Sequence, residues 1–231
     1  MILTSVFSMF KLVKIFCFLL CLISLTSCIE LIDDITINSD GSGKFKYSIN
    51  LSSSKIEVNS IISLDSLDGY KVPKITELKQ NILQFEKIMS SQPGISNVKI
   101  ESNWEDFIFK FNCDFDNLHN LQTAFKVTLN SMNSGLNVNP EVDWISLSGN
   151  CLVRDIPEFI NTQLYNSRYV KDEELRSAKY TSITRFDKEV TKFDNSLTVL
   201  SKNKKAVMVQ TDLKALLDNP NKLDDKIYIL N

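Results

Sequence analysis

Between Leu31 and Val153 the apolar residues change spacing from every second position to every third or fourth and back again. A chain with that order has few ways to bury them. Leu31, Ile35 and Ile37 alternate with polar residues, as do Phe45, Tyr47, Ile49 and Leu51, and "SDGSG" at 39–43 supplies the glycine-rich chemistry of a hairpin turn. Asp33 alone breaks the first face, in register with its apolar residues, which suits a place at the strand end or near the membrane. Residues 52–67 are ambiguous, with a short helix as one option, and the turn residues "SLDGYKVP" close them. Pro73 then opens a helix in which Ile75, Leu78, Ile82, Phe85 and Met89 recur at three and four, ended by "QPG" at 92–94. "ISNVKIES" and "DFIFKFNCDF" flank Asn103-Trp104-Glu105 as a second hairpin. A second helix, capped at Asp116, carries Leu118, Leu121, Phe125, Leu129 and Met132 on one stripe and stops before Gly135. "EVDWISLSGNCLV" follows as a strand. This order predicts an α+β fold: an antiparallel sheet with two main amphipathic helices packed on one face.

The last third continues as a further β-rich portion. "KYTSITRF", "SLTVLS", "KAVMVQ" and "KIYIL" read as strands, and Leu213, Leu216 and Leu217 mark a short helix before the last of them. Residues 28–231 are therefore expected to form a single α+β domain, with 28–155 supplying the strand-helix pattern and 156–231 the β-rich extension.

The residues before this domain have a different character. Lys11 and Lys14 precede "IFCFLLCLISL", which holds Ser24 as its one polar residue. A basic flank, a short apolar run and small residues before a cut site are the parts of a secretory signal. The run is about half of the roughly 20 residues a membrane-spanning helix needs. The eight residues before Met9 carry no charge, so Met9 is the expected start of translation and 1–27 the signal peptide.

At the junction stands "LTSC", Leu25 to Cys28, which resembles the lipobox of bacterial lipoproteins. The resemblance implies that the Cys28 thiol receives a diacylglyceryl group through a thioether and that the signal is cut before Cys28. The new amine would then be acylated. Two or three acyl chains, at roughly 0.8 kcal/mol per buried CH₂, anchor lastingly where one would not. The address implied is the cell envelope, lipid-anchored. The absence of aspartate directly after Cys28 points to the outer membrane, at its periplasmic face or the cell surface.

At 43% hydrophobic and 23% charged, the composition is that of a globular protein. Removing Lys11 and Lys14 with the signal takes the formal net charge from −2 to −4, which leaves no basic footprint for nucleic acid. Of five cysteines, Cys17 and Cys21 leave with the signal and Cys28 would carry lipid. Cys113 and Cys151 remain, both read as inward-facing on strands. That placement suits a disulfide in an oxidising compartment and equally suits two small buried hydrophobes.

Residues for catalysis are sparse. His119, the one histidine, lies off the apolar stripe of its helix, without a nucleophile elbow such as G-x-S-x-G anywhere in the chain. Asp33-Asp34, Asp65 with Asp68, Asp114 with Asp116 and Asp224-Asp225 are close carboxylate pairs. The "DSLDG" stretch lacks the ligand spacing of a calcium loop, and C-x-x-C is absent after Cys28. No catalytic, cofactor or metal residue is assigned. Trp104, at a hairpin tip, is a candidate for contact with a partner or with bilayer headgroups, and alternatively folds back over the sheet.

The lipobox, the "DDITINSDGSGKFKYSINLS" strand pair and the late segments "KYTSITRF" and "SLTVLSKNKKAVMVQTDLKALL" together resemble lipoproteins common in Bacteroidota and the LppM-like lipoprotein domain, an α+β module associated with envelope lipids. The expected role is non-catalytic: a membrane-anchored binding or scaffolding module whose partner is an envelope protein, lipid or glycan. The alternatives are a lipid-handling or glycolipid-binding lipoprotein, and a hydrolase built on carboxylates.

Overall fold

Strand pairing begins two residues after Cys28. In the computed structural model, which describes residues 29–67, 69–132, 142–156 and 172–231, β1 (Glu30–Ile37) and β2 (Gly43–Asn50) pair antiparallel, Ile37 opposite Gly43 and Glu30 opposite Asn50. Their turn takes Gly41 to φ 85°, a region that favours glycine, and Asp40 Oδ1 accepts the Ser42 N–H and hydroxyl at 2.9 and 2.6 Å. A Cβ at Gly43 would lie 1.9 Å from the Thr36 carbonyl oxygen and 2.5 Å from Phe115 Cζ. Only glycine fits there.

The ambiguous stretch after β2 resolves as α1 (Lys55–Ile62), followed by the two-residue strands β3 (Ser66–Leu67) and β4 (Tyr70–Lys71). The two long helices are α2 (Ile75–Ser90) and α3 (Leu118–Ser131), and between them run β5 (Ile95–Asn103) and β6 (Ile108–Phe115) as an antiparallel hairpin. The cap of α3 is Asn117, whose side chain accepts the Asn120 N–H at 2.8 Å, one residue beyond the Asp116 expected from the sequence. Asp116 instead takes the Asn120 side-chain amide at 2.9 Å. Both residue types cap helices well, so local chemistry does not separate them.

"EVDWISLSGNCLV" is a hairpin and not one strand. β7 (Ile145–Ser148) and β8 (Cys151–Arg154) pair with Leu147 opposite Leu152, turning at Gly149 (φ 58°) and Asn150. The turn resets which residues share a face. Ile145 and Leu147 now lie with Leu152, while Cys151 and Val153 fall on the other side.

The last third is woven into both sheets. It comprises α4 (Asp172–Ser177), β9 (Lys179–Phe186), β10 (Val190–Phe193), β11 (Val199–Leu200), β12 (Ala206–Asp212), α5 (Leu213–Asp218) and β13 (Asp225–Ile229). A seven-stranded sheet runs β11-β12-β9-β1-β2-β6-β5, and a four-stranded sheet runs β10-β13-β8-β7. The pairs are antiparallel except β9 against β1, which run parallel from Glu30 opposite Lys179 to Ile37 opposite Phe186. "KYTSITRF" alternates as an antiparallel strand does and lacks the continuous apolar run of a parallel strand buried on both faces, so this exception has no local signature.

The inner face of the large sheet carries Ile35 and Ile37 from β1, Phe45 from β2, Phe111, Cys113 and Phe115 from β6, Phe186 from β9 and Val207 from β12. α2 and α3 cover one half of it. Phe85 and Phe125 meet Phe45 and Phe111 there, at ring-centroid distances of 5.2 Å for Phe45–Phe125 and 5.4 Å for Phe85–Phe111. The four-stranded sheet covers the other half, with Leu152, Ile227 and Ile229 in the same core. Both main helices therefore lie on one face, beside the small sheet in a second layer.

Candidate functional site

The inward register of Asp33 places a carboxylate where the two sheets face each other, and burial at that depth requires a partner. Arg154, at the end of β8, supplies it: its Nη2 donates to Asp33 Oδ2 at 2.8 Å, with side-chain exposures of 12% and 8%. The Tyr180 hydroxyl from β9 donates to the same oxygen at 2.5 Å, and Arg154 Nη1 donates to the Ser182 hydroxyl. Tyr47 stands directly opposite Asp33 on β2. Burial first, and then the Asp33 charge, push the Tyr47 phenol up to about 12 and the Tyr180 phenol well above its ordinary value. Burial, the largest single influence, lowers the Arg154 pKa, but the charges and hydrogen bonds of Asp33 and Tyr180 together outweigh it and the net direction is up. Asp33 Oδ1 and Arg154 Nε are buried with no hydrogen-bond partner.

The cluster is thus a charged pair fixed between layers, with both phenols held protonated at neutral pH. Its chemistry is that of a clamp: it joins β1, β8 and β9, three strands far apart in sequence. Asp33 could be found from its register alone. Arg154, Tyr180 and Ser182 could not, because their proximity to Asp33 is created by the sheet.

A second polar cluster holds α3 to β7. The Gln122 side chain, fully buried, accepts the Trp144 and Ile145 N–H groups at 2.7 and 3.0 Å and donates to the Leu118 and Ile145 carbonyls, each at 2.9 Å. Beside it, buried Lys126 Nζ lies 2.6 Å from Asp143 Oδ1 and 5.5 Å from the Trp144 ring centroid. His119, exposed on the helix, places Nδ1 2.8 Å from the other Asp143 oxygen. Burial pushes the Asp143 carboxyl up, but hydrogen bonds from Lys126 and His119 outweigh it and hold the group below the usual carboxylate range. The signal for Gln122 was its position four residues after Leu118, close to the apolar stripe.

The carboxylate pairs separate. Asp33 and Asp34 are adjacent on a strand and point to opposite faces, Asp34 meeting Arg185 Nε at 2.9 Å and its Nη2 at 3.0 Å. Asp65 pairs with Lys74 at 2.8 Å, and Asp68 lies outside the described residues. Asp114 meets Lys44 at 3.0 Å and the Asn97 amide at 2.7 Å, away from the Asp116–Asn120 contact. Asp224 accepts the Ile156 N–H at 2.8 Å. Asp225 is buried and organises the loop after β10, accepting the N–H groups of Asp194 and Asn195 and the Thr198 hydroxyl. Among the described residues, no three or more His, Cys, Asp or Glu side chains gather in a way that could hold a metal ion.

Cys113 and Cys151 are free thiols on different sheets. Cys113 is buried, and burial followed by the Asp114 charge pushes its thiol up to about 12. Cys151 is half-buried and lies on the opposite face from Leu152 for the hairpin reason given above, which corrects its inward assignment. Trp104 folds back: its ring packs edge-on to Phe109 at 4.9 Å and lies under Lys79 Nζ at 5.5 Å. Cys28 lies outside the described residues, among which no helix is long and apolar enough to cross a membrane.

No family model and no curated protein matches the chain. Among solved structures it is similar to the NMR structure of the Mycobacterium tuberculosis LppM folded domain. That match has 14% identity and a TM-score of 0.37, over 88% of this chain and 91% of that one. A likeness at this TM-score carries no weight for fold or role.

Proposed function

We propose that this chain is a lipoprotein of the bacterial envelope, held at the outer membrane by acylated Cys28, and that it binds or scaffolds an envelope component without catalysing a reaction. The observation that carries the reading is the meeting of the lipobox with the start of the fold. "LTSC" ends at Cys28, and Glu30 is already paired with both Asn50 and Lys179. One residue separates the lipid-bearing position from a central strand of the large sheet, a tether that displays the domain directly at a membrane surface.

The interior supports a surface binder over a lipid carrier. Phe45, Phe85, Phe111 and Phe125 pack against one another where sheet and helices meet, with centroid separations of 5.2 to 6.2 Å. The test is metabolic labelling with palmitate and intact-mass measurement of the protein from its native envelope. The wild type is expected as an acylated form beginning at Cys28, and Cys28→Ala as an unacylated precursor. A mature form cut elsewhere and lacking acyl mass would overturn the reading.

A further inference from the structure

We infer that α1 and the segment after it, residues 55–64, lie in the interfacial layer of the bilayer and fix how the domain sits on the membrane. The inference rests on the anchor reading above and names the surface which that anchor brings to the lipid. Covalent geometry keeps Cys28 within about 7 Å of Glu30 between Cα atoms. The end of the sheet that carries Glu30 is therefore the end nearest the acyl chains.

α1 stands at that same end. Glu30 is opposite Asn50, and Asn50 is opposite Ile108 at the base of the β5–β6 hairpin tip. The Leu51 N–H donates to the Phe107 carbonyl at 3.1 Å, and Lys55 Nζ meets Asp106 at 3.1 Å, which fastens the start of α1 to that tip. Trp104 belongs to the same tip, so the indole lies at the same end of the domain.

The surface of this segment is unusual for water. Ile56 is 80% exposed, and Ile61 and Leu64 are each 41% exposed, while no residue of the helix is buried in the core. Three of its polar side chains turn back on the segment's own backbone, while the exposed Glu57 carboxylate is the charge that must stay in water or among headgroups. The Asn59 amide donates to the Lys55 carbonyl at 2.9 Å, the Ser60 hydroxyl to the Ile56 carbonyl at 2.8 Å and the Ser63 hydroxyl to the Ser60 carbonyl at 2.7 Å. Donors satisfied within the helix cost less to remove from water. The Lys55 charge is matched by Asp106. Exposed apolar side chains, internally bonded amide and hydroxyl groups and a short tether to lipid together favour the interfacial layer for this segment.

The test uses the full acylated protein in phosphatidylethanolamine–phosphatidylglycerol vesicles, with and without lipid brominated along the acyl chains. Ile56→Trp and Leu64→Trp are compared with Leu230→Trp, each read against wild type, which retains Trp104 and Trp144. Leu230 is 56% exposed, and its N–H donates to the Glu189 carbonyl beyond Phe186, at the opposite end of β9 from Lys179. The expected result is a blue shift and bromine-dependent loss of emission at positions 56 and 64, with neither at 230. Equal quenching at all three positions in protein that floats with the vesicles would overturn the inference and leave the anchor standing. A blue shift without bromine quenching, accompanied by concentration-dependent dimers, would assign the patch to a second copy and also overturn it. Failure of the wild type to float would overturn the anchor and the inference together.

Discussion

Replacing Asp33 by alanine removes one half of the charged pair that clamps β8 and β9 to β1. The side-chain exposures of 8% for Asp33 and 12% for Arg154 place the pair in the buried regime, where loss of one partner strands the other charge away from water. That cost is about 3–5 kcal/mol. For a domain of this size each kcal/mol corresponds to about 2–4 °C, so Asp33→Ala should lower Tm by about 6–20 °C. Tyr180→Phe removes the second hydrogen bond to the carboxylate, for which about 1.5–3 kcal/mol is expected. The decisive comparison is the double variant Asp33→Leu with Arg154→Met, which removes both charges and keeps apolar volume. It should recover most of the stability lost in Asp33→Ala, because a buried ion pair gains little net free energy over a hydrophobic replacement. Thermal unfolding followed by circular dichroism at pH 7 measures all three. A loss below about 1 kcal/mol in Asp33→Ala is the value of a solvated surface pair and would refute the clamp. A double variant less stable than either single change would refute the electrostatic account of it.

Gly43→Ala should destabilise by about 1–3 kcal/mol or more, since the new Cβ meets the Thr36 carbonyl and the Phe115 ring and the paired strands leave no direction in which to relax; urea unfolding reads it directly. The Asp143 carboxyl is depressed in the folded state, so its contribution is present above the ordinary aspartate value of 3.8 and is lost as pH falls through the lower folded value. Below pH 5 the Tm difference between wild type and Asp143→Asn should therefore shrink as acid is added; a difference that grows over that range would reverse the assignment. Thiol titration of unreduced mature protein should find Cys113 inert while folded and two reactive thiols in denaturant, because burial protects one and no disulfide joins them. Finding none in denaturant would establish the disulfide instead.

The elements legible in the sequence were those whose signal is local. "KYTSITRF" became β9 at Lys179–Phe186, the three-and-four spacing from Ile75 to Met89 became α2, and "SDGSG" became the β1–β2 turn. In each, side-chain period and turn chemistry act over a few residues, so the burial they demand can be read without the fold. The register of Asp33 with the apolar face was visible for the same reason, but its burial against Arg154 and Tyr180, in place of the strand end or membrane side expected, was not. Its partners were not visible either, because Arg154 and Tyr180 meet it only after β8 crosses the face of the large sheet and β9 lies parallel to β1. The Gly149-Asn150 turn shows the limit within a single stretch. An alternating run tells which residues share a face only while the chain keeps straight, and the reversal moved Cys151 away from Leu152's side. The sequence by itself determined the α+β class and the local elements, and it placed the "LTSC" run one residue before the first strand. Tertiary structure decided which end of the sheet that strand begins at, and hence that Ile56, Ile61 and Leu64 stand beside it, because proximity between distant segments is a property of strand pairing and no local pattern encodes it.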